Sequence, residues 1–259
     1  MLTRFAPTPS GYQHVGNLVN YVLTDQHAKT CDARIALRID DADRHRYRPE
    51  YLADIFEKLN WLGLSWQIGP REVADWPRWS AGNRTDQYVQ ARNHLLASGA
   101  AYACVCSRSD WARHKAPGCP RGCRSLGVAF EPGRTTVRLS SEGMDHVTVW
   151  RREDLPAYQL ASVVDDDRLG VTLVVRGADL AESTEIQRRI STALPSSSFH
   201  EAEVIHHPLV TGSDGAKLAK SAGSNAAPLQ LTSYLREQVH RLAEEFRETM
   251  TLRTQNRGS

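Results

Sequence analysis

The 259-residue sequence has no apolar run long enough to span a bilayer, and Met1 to Ser10 has no apolar segment of the kind that directs secretion. These absences point to a soluble, cytoplasmic protein with no membrane partner. It has no internal repeat and no low-complexity segment, which removes repeat architectures from consideration. Charge of one sign is also missing: the net is only +2, so a nucleic-acid partner is permitted and not required by the whole chain. Cysteine is sparse, with five residues, and in a cytoplasmic chain that argues against a disulfide framework. What remains is ordinary globular composition, 41% hydrophobic, enough for one large domain with an insertion or for two small ones.

The order of elements narrows the fold. Leu2 to Ala6 is a short apolar run ending in Pro7, Pro9 and Gly11, which reads as a strand feeding a tight loop. Leu18, Tyr21, Val22 and Ala28 then fall near helical spacing, and Arg34 to Ile39 reads as a second strand. Leu52, Ile55, Phe56, Leu59 and Leu62 mark a helix opened by Pro49. Strand, helix, strand, helix is the pattern of a parallel sheet with crossover helices. A helix is expected over Thr85 to Ala97, then an insertion around Cys104 to Cys123, after which the pattern resumes. Strands are expected at Thr136 to Leu139, His146 to Trp150 and Val171 to Val175. Helices are expected from Tyr158, after an N-cap at Ser183, and through Leu231, Leu235, Val239, Leu242 and Phe246, with Thr254 to Ser259 frayed.

Two loops carry chemistry. The first, Pro7 to Asn17, lies between the first strand and first helix, where α/β sheets place ligands. His14 falls at the helix N-terminus, whose free amides and dipole favour an anion, and its imidazole can donate to a phosphate oxygen. Gly16 lets a base or ribose approach the backbone. The second, Asp214 to Ser221, is a turn with Lys217 and Lys220 three apart. Lys220 is placed to neutralise charge on a leaving pyrophosphate, with a plain solvated loop as the alternative.

Cys104, Cys106, Cys119 and Cys123 form two close pairs around a loop rich in Pro and Gly, the arrangement a tetrahedral structural zinc needs. Reduced thiols are the alternative, and Cys31 stands apart as a small core residue. Between Ala101 and Arg152 there are nine Lys or Arg against four Asp or Glu, an excess that a phosphate backbone can meet and that a solvated surface also explains.

Taken together, His14-Val15-Gly16-Asn17 and Lys217-Leu218-Ala219-Lys220-Ser221 resemble the HIGH and KMSKS motifs of class I aminoacyl-tRNA synthetases. Arg4 to Gly11, Arg38-Ile39-Asp40-Asp41-Ala42-Asp43, Ala157-Tyr158-Gln159-Leu160 and Val175 to Leu180 resemble the glutamyl-type enzymes. Within that group, length and the cysteine cluster resemble the glutamyl-Q tRNA(Asp) synthetases, which lack an anticodon-binding domain. The resemblance implies an α/β fold, a Rossmann-like parallel sheet in two halves. The expected layout is 1–100 for the first half, 101–140 for the zinc-binding, acceptor-facing insertion, 141–225 for the second half and 226–259 for a helical tail.

It further implies an amino-acid pocket at Arg4, Ala6, Thr8, Asp40, Tyr158 and Arg176, and an ATP site at His14, Gly16, Asn17 and Lys220, with Lys217 beside it. Arg4 suits a bidentate grip on a substrate carboxylate, and Asp40 a substrate ammonium. The implied cofactors are structural zinc and Mg2+ with ATP. The implied partners are glutamate or a similar amino acid and the tRNA(Asp) anticodon stem-loop, met by a monomer. In such cysteine clusters the third ligand is often Tyr, a place Cys119 takes here. Three positions depart from the family pattern: Asp40 stands for Glu, Ala219 for Ser, and Ser183 to Gln187 lacks a Pro-Arg pair. The expected reaction is formation of glutamyl-adenylate and transfer to queuosine. The alternatives are a relative that passes its activated amino acid to a small molecule or carrier protein, a nucleotide- or RNA-binding protein without turnover, and a plain nucleotidyltransferase.

Overall fold

Leu2–Phe5 is buried at all four positions, as expected for a strand covered on both faces. In the computed structural model, which describes residues 1–140, 143–144, 147–211 and 227–255, it is β1. There follow α1 (Val15–Thr30), β2 (Arg34–Leu37), α2 (Pro49–Trp61), α3 (Trp76–Trp79), α4 (Thr85–Ala97), β3 (Ala101–Cys104) and α5 (Arg108–Arg113). The remaining elements are β4 (Thr136–Leu139), β5 (Thr148–Trp150), α6 (Tyr158–Leu169), β6 (Leu173–Gly177), α7 (Ala181–Ala193), β7 (Glu203–His207) and α8 (Ser233–Gln255).

The chain forms two compact units, both discontinuous in sequence. The first comprises Met1–Ser80, Val171–Glu182 and Glu201–Ser259. In it β1 pairs in parallel with β2, and β6 in parallel with β7. The Thr172 N–H donates to the Leu2 carbonyl (2.9 Å), laying β6 along the other side of β1. Parallel strands need crossovers, and α1 supplies the one between β1 and β2. Its buried residues, Leu18, Val19, Tyr21, Val22, Leu23 and Ala28, join Phe5, Leu37, Leu52, Ile55 and Leu59 in one core. α8 closes that core with Val239 and Ala243, and the Arg236 guanidinium lies over the Trp61 ring, 5.1 Å from its centroid.

The second unit, Ala81–Gly170 and Ser183–His200, holds the antiparallel sheet β3-β4-β5. Its interior contains an ion pair. The Arg84 guanidinium meets Asp165 with Nε–Oδ1 2.6 Å and Nη2–Oδ2 2.8 Å, and the Tyr88 hydroxyl donates to the same carboxylate at 2.7 Å. Desolvation opposes the charge on Arg84, yet the Asp165 contact outweighs it and raises the guanidinium's pKa. Because removing one partner strands a buried charge, Asp165→Ala is expected to cost about 3–5 kcal/mol. Denaturant titration measures this, and an unchanged midpoint contradicts it.

Several expectations need correction. Ser183 is inside α7, where it accepts from Gln159 Nε2 (3.1 Å), and so it is not the N-cap. Cys31 is exposed, with its thiol directed to the His27 carbonyl, and is not a core residue. The helix near the C-terminus begins at Ser233, after Leu231, and continues to Gln255 through the start of the segment expected to fray.

Candidate functional site

The α1 N-terminus is built by reciprocal hydrogen bonds. His14 is the N-cap, with extended backbone (φ −102°, ψ 170°). Its Nδ1 accepts from the Asn17 N–H at 3.3 Å, and Asn17 Oδ1 accepts from the His14 N–H at 3.0 Å. This is a capping box in which imidazole and amide replace the usual hydroxyl and carboxylate. It has a chemical consequence: an accepting Nδ1 carries no proton, so the neutral ring bears its N–H on Nε2. The imidazole is thereby set as a donor at a helix end already suited to anions.

Gly16 does not need glycine for a left-handed backbone, since its φ is not positive. A Cβ at this position would lie 3.1 Å from both Cε1 and Nδ1 of His14, so glycine leaves room for the ring. Alanine is the better helix former by about 1 kcal/mol. Gly16→Ala is therefore expected to keep or raise thermal stability while slowing any reaction that uses His14. A variant with unchanged rate would remove this role.

The strand ends converge on the same loop. The β1–β2 pairing continues past Leu37, with the Arg38 N–H donating to the Phe5 carbonyl (2.9 Å) and the Asp40 N–H to the Pro7 carbonyl (2.8 Å). Arg4 lies on β1, Asp40 just beyond β2 and Arg176 near the end of β6, and all three are buried. Buried charged groups gathered at the carboxyl ends of parallel strands are a physical mark of a ligand site. Ala6 is half-buried and Thr8 exposed in the loop that follows β1. Asp41, beside Asp40, accepts from the Ser80 hydroxyl (2.5 Å), which in turn accepts from Arg44 Nη2 (3.1 Å).

The strand ends are also braced from α1. Asn20 Nδ2 donates to the Val175 carbonyl (3.2 Å) and lies 3.1 Å from His207 Nε2, while His207 Nδ1 faces the Pro208 carbonyl at 2.7 Å. Burial keeps the His207 pKa below the usual range, so the ring is neutral, with Nδ1 donating and Nε2 accepting. Tyr158 belongs to the second unit, as the first residue of α6, and is partly exposed. Lys217, Ala219 and Lys220 lie outside the described residues.

The four cysteines of the second unit converge. Cys104 ends β3, Cys106 follows it, and Cys119 and Cys123 come from a turn in which Gly118 and Gly122 have positive φ. Their Sγ atoms all lie within 4.8 Å of one another, with contacts of 3.5 Å (Cys106–Cys119), 3.7 Å (Cys104–Cys119) and 3.8 Å (Cys106–Cys123). Zinc at about 2.3 Å from each sulfur in a tetrahedron places sulfurs about 3.8 Å apart, so this donor set fits. Burial raises the Cys106 thiol pKa. At Cys119 the backbone N–H groups of Cys123 and Arg121 overcome burial and bring the pKa down to about 7, and a thiolate is the form that binds metal. Arg108, Arg113, Lys115, Arg121, Arg124 and Arg134 are exposed around this clasp, whereas Arg138 is buried over the Trp111 ring.

Sequence reasoning named Tyr21 only as an apolar helix position and did not single out Gln13, Asp54 or Lys58, which the structure links to it at the end of the loop that follows β1. The sign available was the i, i+4 spacing of Asp54 and Lys58 amid the apolar positions of α2.

Among the described residues no helix is long and apolar enough to cross a membrane. The sequence pattern of the family described as tRNA synthetases class I (E and Q), catalytic domain, matches residues 1–127 and 123–243. A glutamyl-Q tRNA(Asp) synthetase of Symbiobacterium thermophilum is 36% identical, the match covering 85% of this chain and 78% of that one. A glutamate–tRNA ligase of Dehalococcoides mccartyi is 31% identical over 86% of this chain and 51% of its own, so the chain spans about half the length of such relatives. The crystal structure of a glutamate-tRNA synthetase from Elizabethkingia anophelis superposes with a TM-score of 0.66 at 20% identity, covering 85% of this chain and 52% of that one, a likeness of fold. With its parallel strands, its His14-capped first helix and a family pattern that matches most of its length, the chain belongs to the class I tRNA synthetase (E and Q) catalytic-domain family.

Proposed function

We propose that this chain activates glutamate with Mg-ATP and transfers it to the queuosine base of tRNA(Asp). The observation that carries the reading is the His14 N-cap, with its Nε2–H tautomer fixed, next to the strand ends that hold Arg4, Asp40 and Arg176. A carboxylate oxygen of the amino acid attacks the α-phosphorus in line, the bond to the β-phosphate oxygen breaks, and pyrophosphate leaves with the electron pair. His14 Nε2–H donates to phosphate oxygens as charge builds on them, and Lys217 and Lys220 neutralise the leaving group. Arg4 and Arg176 receive the substrate's carboxylates and Asp40 its ammonium, with Ala6 and Thr8 beside them in the same unit. Gly16 and Asn17 complete the ATP site. In the second step an acceptor hydroxyl attacks the carbonyl carbon, AMP departs and the hydroxyl proton passes to solvent.

Queuosine as acceptor is supported by the relative from Symbiobacterium thermophilum, which the chain matches over most of both lengths. The exposed cations around the cysteine clasp suit an RNA backbone, and the clasp itself is assigned a structural zinc. The test is ATP–pyrophosphate exchange with a panel of amino acids, without tRNA, followed by labelling of queuosine-bearing tRNA(Asp). Exchange with glutamate and labelled tRNA(Asp) are the expected results. Exchange with another amino acid alone would assign Asp40 to a changed specificity. Exchange with no labelled tRNA would move the acceptor to a small molecule or carrier protein, and no exchange at all would overturn adenylate chemistry.

A further inference from the structure

The residue ahead of a helix N-cap is commonly apolar and packs on the side chain at the fourth helical position. Here that residue is Gln13, and it is buried. Its backbone N–H donates to Asp54 Oδ2 at 2.7 Å, and its side-chain oxygen accepts from the Tyr21 hydroxyl at 2.5 Å. Asp54 reaches up from α2, and its other oxygen pairs with Lys58 Nζ at 2.8 Å, one turn along the same helix. Both side chains are nearly inaccessible, 3% and 1% exposed, and lie within the layer that contains Leu52, Ile55 and Leu59. Lys58 also reaches Glu57 Oε2 (2.8 Å) at the surface. Desolvation acts against the ammonium, but the two carboxylates overcome it and raise its pKa.

A buried ion pair of this kind is no better for stability than a well-packed apolar pair, so its use must be sought in geometry. The geometry is specific: the outer oxygen of the pair is spent on the peptide N–H directly before His14. We propose that Asp54, held by Lys58, is a positioning residue that fixes the peptide ahead of His14, and through it the tautomer and aim of the His14 imidazole. Without that anchor the loop is free to rotate at Gln13, and the 3.3 Å bond from the Asn17 N–H to Nδ1 is the first to be lost. The inference rests on the proposed use of His14 in adenylate formation.

Two charge-free double variants separate this role from the charge of the pair. D54N/K58M keeps an acceptor for the Gln13 N–H, whereas D54L/K58M removes it. With histidines labelled with 15N and His14 assigned through H14Q, the expected spectrum shows a single Nε2–H tautomer for His14 in the parent and in D54N/K58M. In D54L/K58M it is averaged over both tautomers. In ATP–pyrophosphate exchange, kcat is expected to fall about 10- to 100-fold in D54L/K58M, with KM for ATP little changed, and to be restored in D54N/K58M. The same tautomer and the same kcat in both double variants would overturn the positioning role. If the parent shows no exchange with any amino acid, it is the proposed function that fails, and the tautomer comparison still decides the role of Asp54. Should D54L/K58M not fold, D54V/K58L provides the same comparison.

Discussion

Replacing His14 by asparagine is expected to leave the protein at least as stable and to lower kcat of adenylate formation by about 10²- to 10³-fold, the usual effect of removing one transition-state donor. The two effects separate because the residue does two jobs with two atoms. Nδ1 caps α1 by accepting the Asn17 N–H, and asparagine is among the best residues at that task. Nε2–H is the donor that the proposed reaction uses, and asparagine's shorter side chain spends its oxygen on the cap. His14→Ala removes both functions and is expected to cost a further ~1 kcal/mol of stability. Thermal melts and exchange rates on the two variants therefore form a pair: H14A slow and less stable, H14N slow and stable. A stable H14N with the parent's kcat would mean that the imidazole serves only as a cap.

How far the sequence was legible follows from how local each signal is. The His14 position was readable because proline, glycine and the onset of helical spacing lie within a dozen residues of one another. Helix Thr85–Ala97 and strand Thr136–Leu139 have the bounds that their patterns suggest. Long-range partners were not readable. Asp54 meets Gln13 across 41 positions and Asp165 meets Arg84 across 81, and nothing in a helical pattern says that a charged side chain turns inward. On α2 the inward turn follows from burial of more than a narrow stripe, which draws Asp54 and Lys58 in with their apolar neighbours. Ser183 was misplaced for a related reason. A serine before a periodic apolar run suits an N-cap, but here Ala181 and Glu182 already carry the helix and the hydroxyl serves Gln159 instead. β3 and β7 were missed as strands, since four or five residues leave periodicity little to act on.

Replacing Cys106 by serine is expected to abolish stoichiometric zinc binding while leaving amino-acid activation close to the parent. Cys106 lies 3.5 Å from Cys119 and 3.8 Å from Cys123, so its loss takes one corner from the four-sulfur donor set. Metal affinity is expected to fall by more than about 100-fold, since even outer residues of such sites are worth 10- to 100-fold. The local apolar cluster is small: Tyr102, Cys104, Cys106 and Cys123 with Trp111, Cys119 and Val128 packed against them. It has little apolar area with which to hold a loop rich in proline and glycine, so most of its folding free energy is expected to come from the proposed zinc. The segment from Cys104 to Val128 should then become sensitive to limited proteolysis in C106S and in chelator-treated protein. His14, Arg4, Asp40 and Arg176 belong to the other unit and have their own core, so exchange without tRNA should persist. Transfer to tRNA should fail, because the cations around the clasp no longer have fixed positions. Zinc analysis, proteolysis and the two half-reactions measured side by side test this. Loss of exchange together with zinc would mean that the clasp supports adenylate formation itself, and full transfer by zinc-free protein would remove the clasp from tRNA recognition.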